Sequence, residues 1–167
     1  MTLRLILTRH AKSDWSQAGQ ADFDRPLNHH GEDEARAIGD WLKSRGYLPD
    51  QILTSAATRT VATADIIAAA LGTTPPRSTR QQLYQADADQ LLAEVNHAEG
   101  RTVLLIAHNP GILQFAQDLL HDASAKARLQ GYPTGATAVI DFTDDDWTAI
   151  TTGRGALRDF ITPDDLD

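Results

Sequence analysis

The stretch TVLLIAHNPG, residues 102–111, sets an unbroken apolar run directly against His108, Asn109 and Pro110. The run shows no polar alternation, so it reads as a strand buried on both faces. Such strands belong to parallel sheets covered by helices. Asn109 then reads as an N-cap, with Pro110 at the first position of a helix carrying ILQFAQDLLH.

The same design repeats outward from this point. Residues 3–7, LRLIL, form a short apolar run that stops at Thr8-Arg9-His10. Residues 51–55, QILTS, form another, followed by the alanine-rich helical stretch 56–71 that Gly72 ends. Between them, Asn28 is placed as the N-cap of a helix whose apolar face is Ala35, Ile38 and Leu42 and whose stop is Gly46. Pro75 and Pro76 mark a loop, and residues 87–98 read as a helix with Asp87 and Gln90 in a capping box. TAVIDF (137–142) and WTAI (147–150), on either side of residues 143–146, read as a hairpin. The acidic residues 162–167 read as a frayed tail. Strands alternating with helices predict one α/β domain over residues 1–167, a three-layer sandwich with a mostly parallel central sheet.

In such sheets ligands bind beyond the carboxyl ends of the strands. Three strand ends here carry chemically loaded residues: Arg9-His10, the segment from Ser55 to Arg59, and His108-Asn109. If the strands are neighbours, two arginines and two histidines meet beside two helix N-termini, which makes an anion site. Phosphoryl transfer needs mainly positioning and charge stabilisation, and this set suits it. One histidine would attack phosphorus through a neutral ring nitrogen while its other nitrogen donates to a fixed acceptor. The second histidine, protonated, would join the arginines on the phosphoryl oxygens, and water would then hydrolyse the phosphohistidine.

Bulk composition is that of an ordinary soluble globular chain and narrows its partners. The chain has 167 residues, 41% hydrophobic and 23% charged, with no cysteine. Fifteen basic and 23 acidic residues give a net charge of −8, which argues against nucleic acid as a partner. Lysine occurs only at Lys12, Lys43 and Lys126, so the positive charge is mostly arginine, the better fork for phosphate. No run is long enough to span a bilayer and the N-terminus turns polar too soon for a signal peptide, which predicts a cytoplasmic protein without a membrane partner. His29, His97 and His121 lack partners at metal-ligand spacing, so neither a metal nor another cofactor is expected. Oligomeric state is not legible.

LTRHAKS resembles the Arg-His-Gly motif of the histidine phosphatase (phosphoglycerate mutase-like) superfamily, with Ala11 in place of glycine. SAATRTVAT is similar to its Ser-Pro-x-x-Arg-x-x-x-Thr segment, with Ala56 in place of proline, and IAHNPGI resembles its second histidine at a strand end. DFDRPLNHHG resembles the Asp-x-x-Arg-Pro-Leu segment of the small SixA-type branch of phosphohistidine phosphatases, with His30 where relatives often carry arginine. The resemblance implies His10 as the phosphorylated nucleophile, with Arg9, Arg59 and His108 completing the phosphate pocket. It implies that Arg25 and Asp22 line the site. Ser13 either bonds the phosphate or caps a turn, and Trp15 either packs or forms the pocket rim. The implied substrate is a phosphorylated protein, with small phosphorylated metabolites, or phosphate binding without turnover, as alternatives.

Larger relatives that cleave phosphate esters use a carboxylic acid to protonate the leaving oxygen. Here no glutamate lies between Glu34 and Glu94, and the candidates are Asp22, Asp87 and Asp89, with Asp87 better read as a helix cap. A site without a strong acid leans toward a good leaving group such as imidazole, whose conjugate acid has a pKa of about 6.5.

Overall fold

The computed structural model describes residues 2–167. Six strands form one sheet in the order β3-β2-β4-β1-β5-β6. β1 (Leu3–Arg9), β2 (Gln51–Ser55), β3 (Arg77–Arg80) and β4 (Thr102–Ala107) run parallel, whereas β5 (Thr137–Phe142) and β6 (Ala156–Ile161) form an antiparallel flank. The expected mostly parallel α/β sandwich is therefore the observed one.

The apolar runs are continuous because both faces of the sheet are covered. Leu5, Leu7, Leu53, Val103 and Leu105 face one layer, with α3 (Ala88–Val95), α4 (Gly111–Leu119) and α5 (Ala123–Arg128) beneath them. Ile6, Ile52, Leu104 and Ile106 face the other, against α1 (His29–Arg45) and α2 (Thr58–Leu71). Each such side chain, fully buried, contributes about 1.5–3 kcal/mol. Asn28 caps α1 by accepting from the Gly31 amide, and Gly46 and Gly72 end α1 and α2 with left-handed φ values of 74° and 73°. The Asp87–Gln90 capping box is present on α3, which ends at Val95 rather than at residue 98.

Three local expectations are corrected. WTAI is not a strand: Trp147–Ala149 is a 3-10 turn capped by Asp146, and β6 takes the place beside β5. Trp147 is buried, donates from Nε1 to the Gly100 carbonyl at 2.7 Å, and its own carbonyl accepts from Asn96 at 2.7 Å, so the segment plugs the core instead of pairing. Residues 162–167 are not frayed: Pro163–Leu166 is a 3-10 helix with a Thr162–Asp165 capping box, packed on α1 with Pro163 buried. Asn109 is not the N-cap of α4: that place falls to Pro110, because Asn109 Nδ2 donates to the Tyr132 carbonyl at 3.0 Å. β3 carried no expectation, since RSTR is polar and lies at the sheet edge. Among the described residues no helix is long and apolar enough to cross a membrane.

Candidate active site

β4 lies between β1 and β2, with Arg9 opposite Ala107 and Thr54 opposite Ile106. That register brings the three loaded strand ends to one edge. They open into a cavity of about 480 Å³ whose walls include Arg9, His10, Arg25, Arg59 and His108. Ser13 and Trp15 also line it.

His10 is 6% exposed, and its Nδ1 sits 2.7 Å from the Ala11 carbonyl oxygen. A carbonyl only accepts, so Nδ1 carries the proton and Nε2 keeps its lone pair. Burial pushes the His10 pKa down to about 4, with the Arg59, Arg9 and Arg25 charges acting in the same direction. His10 is thus neutral at neutral pH, the form a nucleophile needs. Ala11 in place of glycine does not disturb this turn, since Ala11 has no positive φ. Its amide donates to Thr63 Oγ1 at 3.1 Å, and that hydroxyl donates to the Arg59 carbonyl, so the two motifs are tied together.

The His108 ring centroid is 5.3 Å from that of His10. Its Nδ1 is 3.4 Å from Arg59 Nη2, which can only donate, so Nδ1 accepts and Nε2–H donates to Ser55 Oγ at 2.8 Å. Burial, followed by the nearby His10 and Arg59, pushes its pKa down to about 3. In the protein's own field the charged form of His108 is therefore disfavoured. A bound phosphate dianion is the group that can restore its charge.

Three arginines complete the walls. Arg59 is 5% exposed and donates from Nη1 to the Asp22 main-chain oxygen at 2.7 Å and from Nη2 to Asp22 Oδ2 at 3.0 Å. Arg25, 7% exposed, donates to Asp22 Oδ1 at 2.9 Å and stacks its guanidinium 3.5 Å from the Trp15 ring centroid. Arg9 donates to the Tyr132 carbonyl at 3.2 Å. Arg9 Nε, Arg59 Nε, and both Nε and Nη1 of Arg25 are buried without a hydrogen-bond partner among the described residues. Buried guanidinium N–H groups left unpaired are costly, and an oxyanion is the acceptor that satisfies them.

The candidate acids fall outside this cavity. Asp22 stands behind Arg25 and Arg59, and the Tyr84 hydroxyl at 2.5 Å, then the two arginines, holds its carboxyl far below the usual carboxylate range. It accepts from both arginines, and these contacts favour its carboxylate form. Asp87 caps α3, and Asp89 is exposed on the same helix. The carboxylate that does line the cavity is buried Glu34, which sequence reasoning passed over. It was concealed in the acidic run GEDE, yet it shares the buried face of α1 with Gly31, Ala35, Ile38 and Leu42, and that periodicity was the available signal. Thr134, which donates to Glu34 Oε1 at 3.3 Å, and residues 162–164, also unforeseen, line the cavity as well. Among the described residues no cluster of three or more histidines and carboxylates is placed to hold a metal ion.

Residues 5–87 match the family model described as histidine phosphatase superfamily (branch 1). An uncharacterised protein of Mycobacterium tuberculosis is 32% identical over 162 residues, covering 93% of this chain and 99% of its own. The chain belongs to the histidine phosphatase superfamily. The solved SixA protein of Agrobacterium tumefaciens, assigned as a phosphohistidine phosphatase, superposes with a TM-score of 0.84 at 31% identity, over 96% of this chain and 98% of its own. A chloroplastic protein of Arabidopsis thaliana is 51% identical over 57 residues, so this chain spans only 26% of that relative's length. The fold is that of the phosphoglycerate mutase-like histidine phosphatases, the branch is the SixA type, and the protein is a phosphatase.

Proposed function

We propose that this histidine phosphatase removes phosphate from protein-borne phosphohistidine by way of a phosphorylated His10. The observation that carries the reading is the arrangement at His10: Nδ1 is fixed on the Ala11 carbonyl, and the free Nε2 lies in a cavity walled by three arginines with four unpaired buried N–H groups. Nε2 attacks phosphorus, the bond from phosphorus to the substrate nitrogen breaks, and that nitrogen leaves with a proton. Arg9, Arg25 and Arg59 hold the equatorial oxygens, and His108 joins them once the dianion restores its proton. Water then attacks the phosphorylated His10 and releases inorganic phosphate. Ser13 lies beside the nucleophile in the cavity wall, as a further donor to a phosphoryl oxygen.

The substrate class is supported by two features. The walls are short segments around residues 10–15, 133–134 and 162–164, and the rim residue Trp15 is 77% exposed, so a side chain on a protein surface can enter. The likeness to the SixA proteins of Agrobacterium tumefaciens and Nakamurella multipartitia, at 31% and 32% identity over nearly the whole chain, points the same way. We place this activity in one domain acting in the cytoplasm.

The test is phosphate release from a histidine-phosphorylated carrier protein, run beside 4-nitrophenyl phosphate and an alkyl phosphate, with His10→Ala as blank. Release from phosphohistidine that outpaces the alkyl ester and vanishes in His10→Ala is the expected result. Alkyl ester turnover at an equal rate overturns the substrate assignment. Release from phosphohistidine that survives in His10→Ala overturns the nucleophile.

A further inference from the structure

Glu34 projects from the first turns of α1 into the wall of the site. Its Oε1 accepts from the Lys12 amide at 2.9 Å and from Thr134 Oγ1 at 3.3 Å. Its Oε2 has no hydrogen bond among the described residues, and His30 Nε2 lies 3.6 Å from it. One oxygen is therefore anchored and the other is free beside the cavity. The anchor is stiff, because Gly31, one turn earlier, presses on Lys12 so closely that a Cβ there would lie 1.9 Å from the Lys12 oxygen. The only other carboxylate on the cavity walls among the described residues is Asp164, which is exposed.

We propose that Glu34 is the acid–base of the reaction, a catalytic residue that protonates the leaving group from Oε2. This rests on the phosphotransfer reading above. As the bond from phosphorus to the leaving atom breaks and the bond from phosphorus to His10 Nε2 forms, the Oε2 proton passes to the departing nitrogen or oxygen. The resulting carboxylate takes a proton from the water that attacks phosphorylated His10, so the acid is restored when phosphate leaves. Burial raises the carboxyl pKa of Glu34, which favours a held proton. The charged groups facing it are Arg9 from β1, Lys12 from the turn after β1, His30 from its own helix and Asp164 from the C-terminal 3-10 helix. His30 is largely exposed.

The experiment compares Glu34→Gln with wild type on phenyl phosphate and 4-nitrophenyl phosphate. Glutamine keeps the acceptor for the Lys12 amide but has no acidic proton. The expected result is a loss of about 10²-fold in kcat/KM on phenyl phosphate and a change within about threefold on the nitrophenyl ester, whose leaving group needs no proton. Equal losses on both esters overturn the proposal and make Glu34 a positioning residue acting through Lys12. If the variant does not fold, wild-type kcat/KM across aryl phosphates decides: a shallow dependence on leaving-group pKa supports the acid, and a steep one overturns it. No phosphohistidine enters these assays, so their failure is separate from a failure of the substrate assignment.

Discussion

Arg59 and Asp22 meet twice, once through the Asp22 main-chain oxygen at 2.7 Å and once through its Oδ2 at 3.0 Å. The same carboxylate takes Arg25 on its other oxygen, so one aspartate sets the direction of two guanidinium groups. Asp22→Ala should lower kcat/KM by about 10- to 100-fold, the cost of misplacing groups by about an ångström. Asp22→Asn should retain more activity, since its amide oxygen still accepts. A proton-donor role for Asp22 would make the two variants equally poor on phenyl phosphate, whose leaving group needs a proton.

The depressed histidine pKa values set the pH behaviour. His10 must be neutral to attack, so the acid limb of kcat/KM, corrected for substrate ionisation, should fall near pH 4 instead of near 6.5. Stability should follow the same groups. Between an unfolded pKa of about 6.5 and folded values of about 4 and about 3, the unfolded chain binds more protons. The stabilisation is fully present above about pH 6.5 and is lost as pH falls toward 3, on the order of a few kcal/mol in total. Urea midpoints at pH 7, 5.5 and 4.5 should decline in that order, and His108→Gln should flatten the decline.

Gly31→Ala tests the contact between α1 and the turn after the nucleophile. The added Cβ would meet the Lys12 oxygen at 1.9 Å and its carbonyl carbon at 2.8 Å, both backbone atoms that cannot rotate away. Overpacking of this kind costs about 1–3 kcal/mol or more. Thermal unfolding should therefore shift down, and because the strain falls two residues from His10, residual activity per folded molecule should fall too.

Trp15→Ala should behave in the opposite way. The indole is 77% exposed, so unfolding should change by no more than about 1 kcal/mol, the worth of its contact with Arg25. What is lost is the stacking on Arg25, worth about 0.5–1 kcal/mol, so KM should rise about two- to fivefold with kcat little changed. A fall in kcat alone would contradict this rim role.

The legible parts of the fold were those whose local chemistry and burial agree. β1, β2 and β4 announce themselves because both faces are covered, and α1 to α3 because Asn28, Gly46, Gly72 and the Asp87 box mark their ends. β3 and β6 were missed because edge strands are half exposed: RSTR and ALRDFI mix charge into the pattern, whereas WTAI, more apolar, is buried without pairing. In the site, the strand-end residues were found from their sequence positions. Glu34, Tyr84 and Thr134 were not, because their roles depend on contacts across 22 to 100 residues of chain. The acids weighed from sequence were Asp22, Asp87 and Asp89, whereas the buried carboxylate on the cavity wall, Glu34, sits on α1.

The placement of β4 between β1 and β2 carries a consequence for synthesis. Arg9 and His10 emerge from the ribosome first and Arg59 soon after, but the strand that pairs with both of their strands comes only at residues 102–107. A nascent chain of 87 residues holds Arg9, His10, Arg25 and Arg59 without the strand that sets their spacing. Phosphate affinity in arrested chains of increasing length should therefore appear abruptly, once β4 has cleared the exit tunnel, and not build up arginine by arginine.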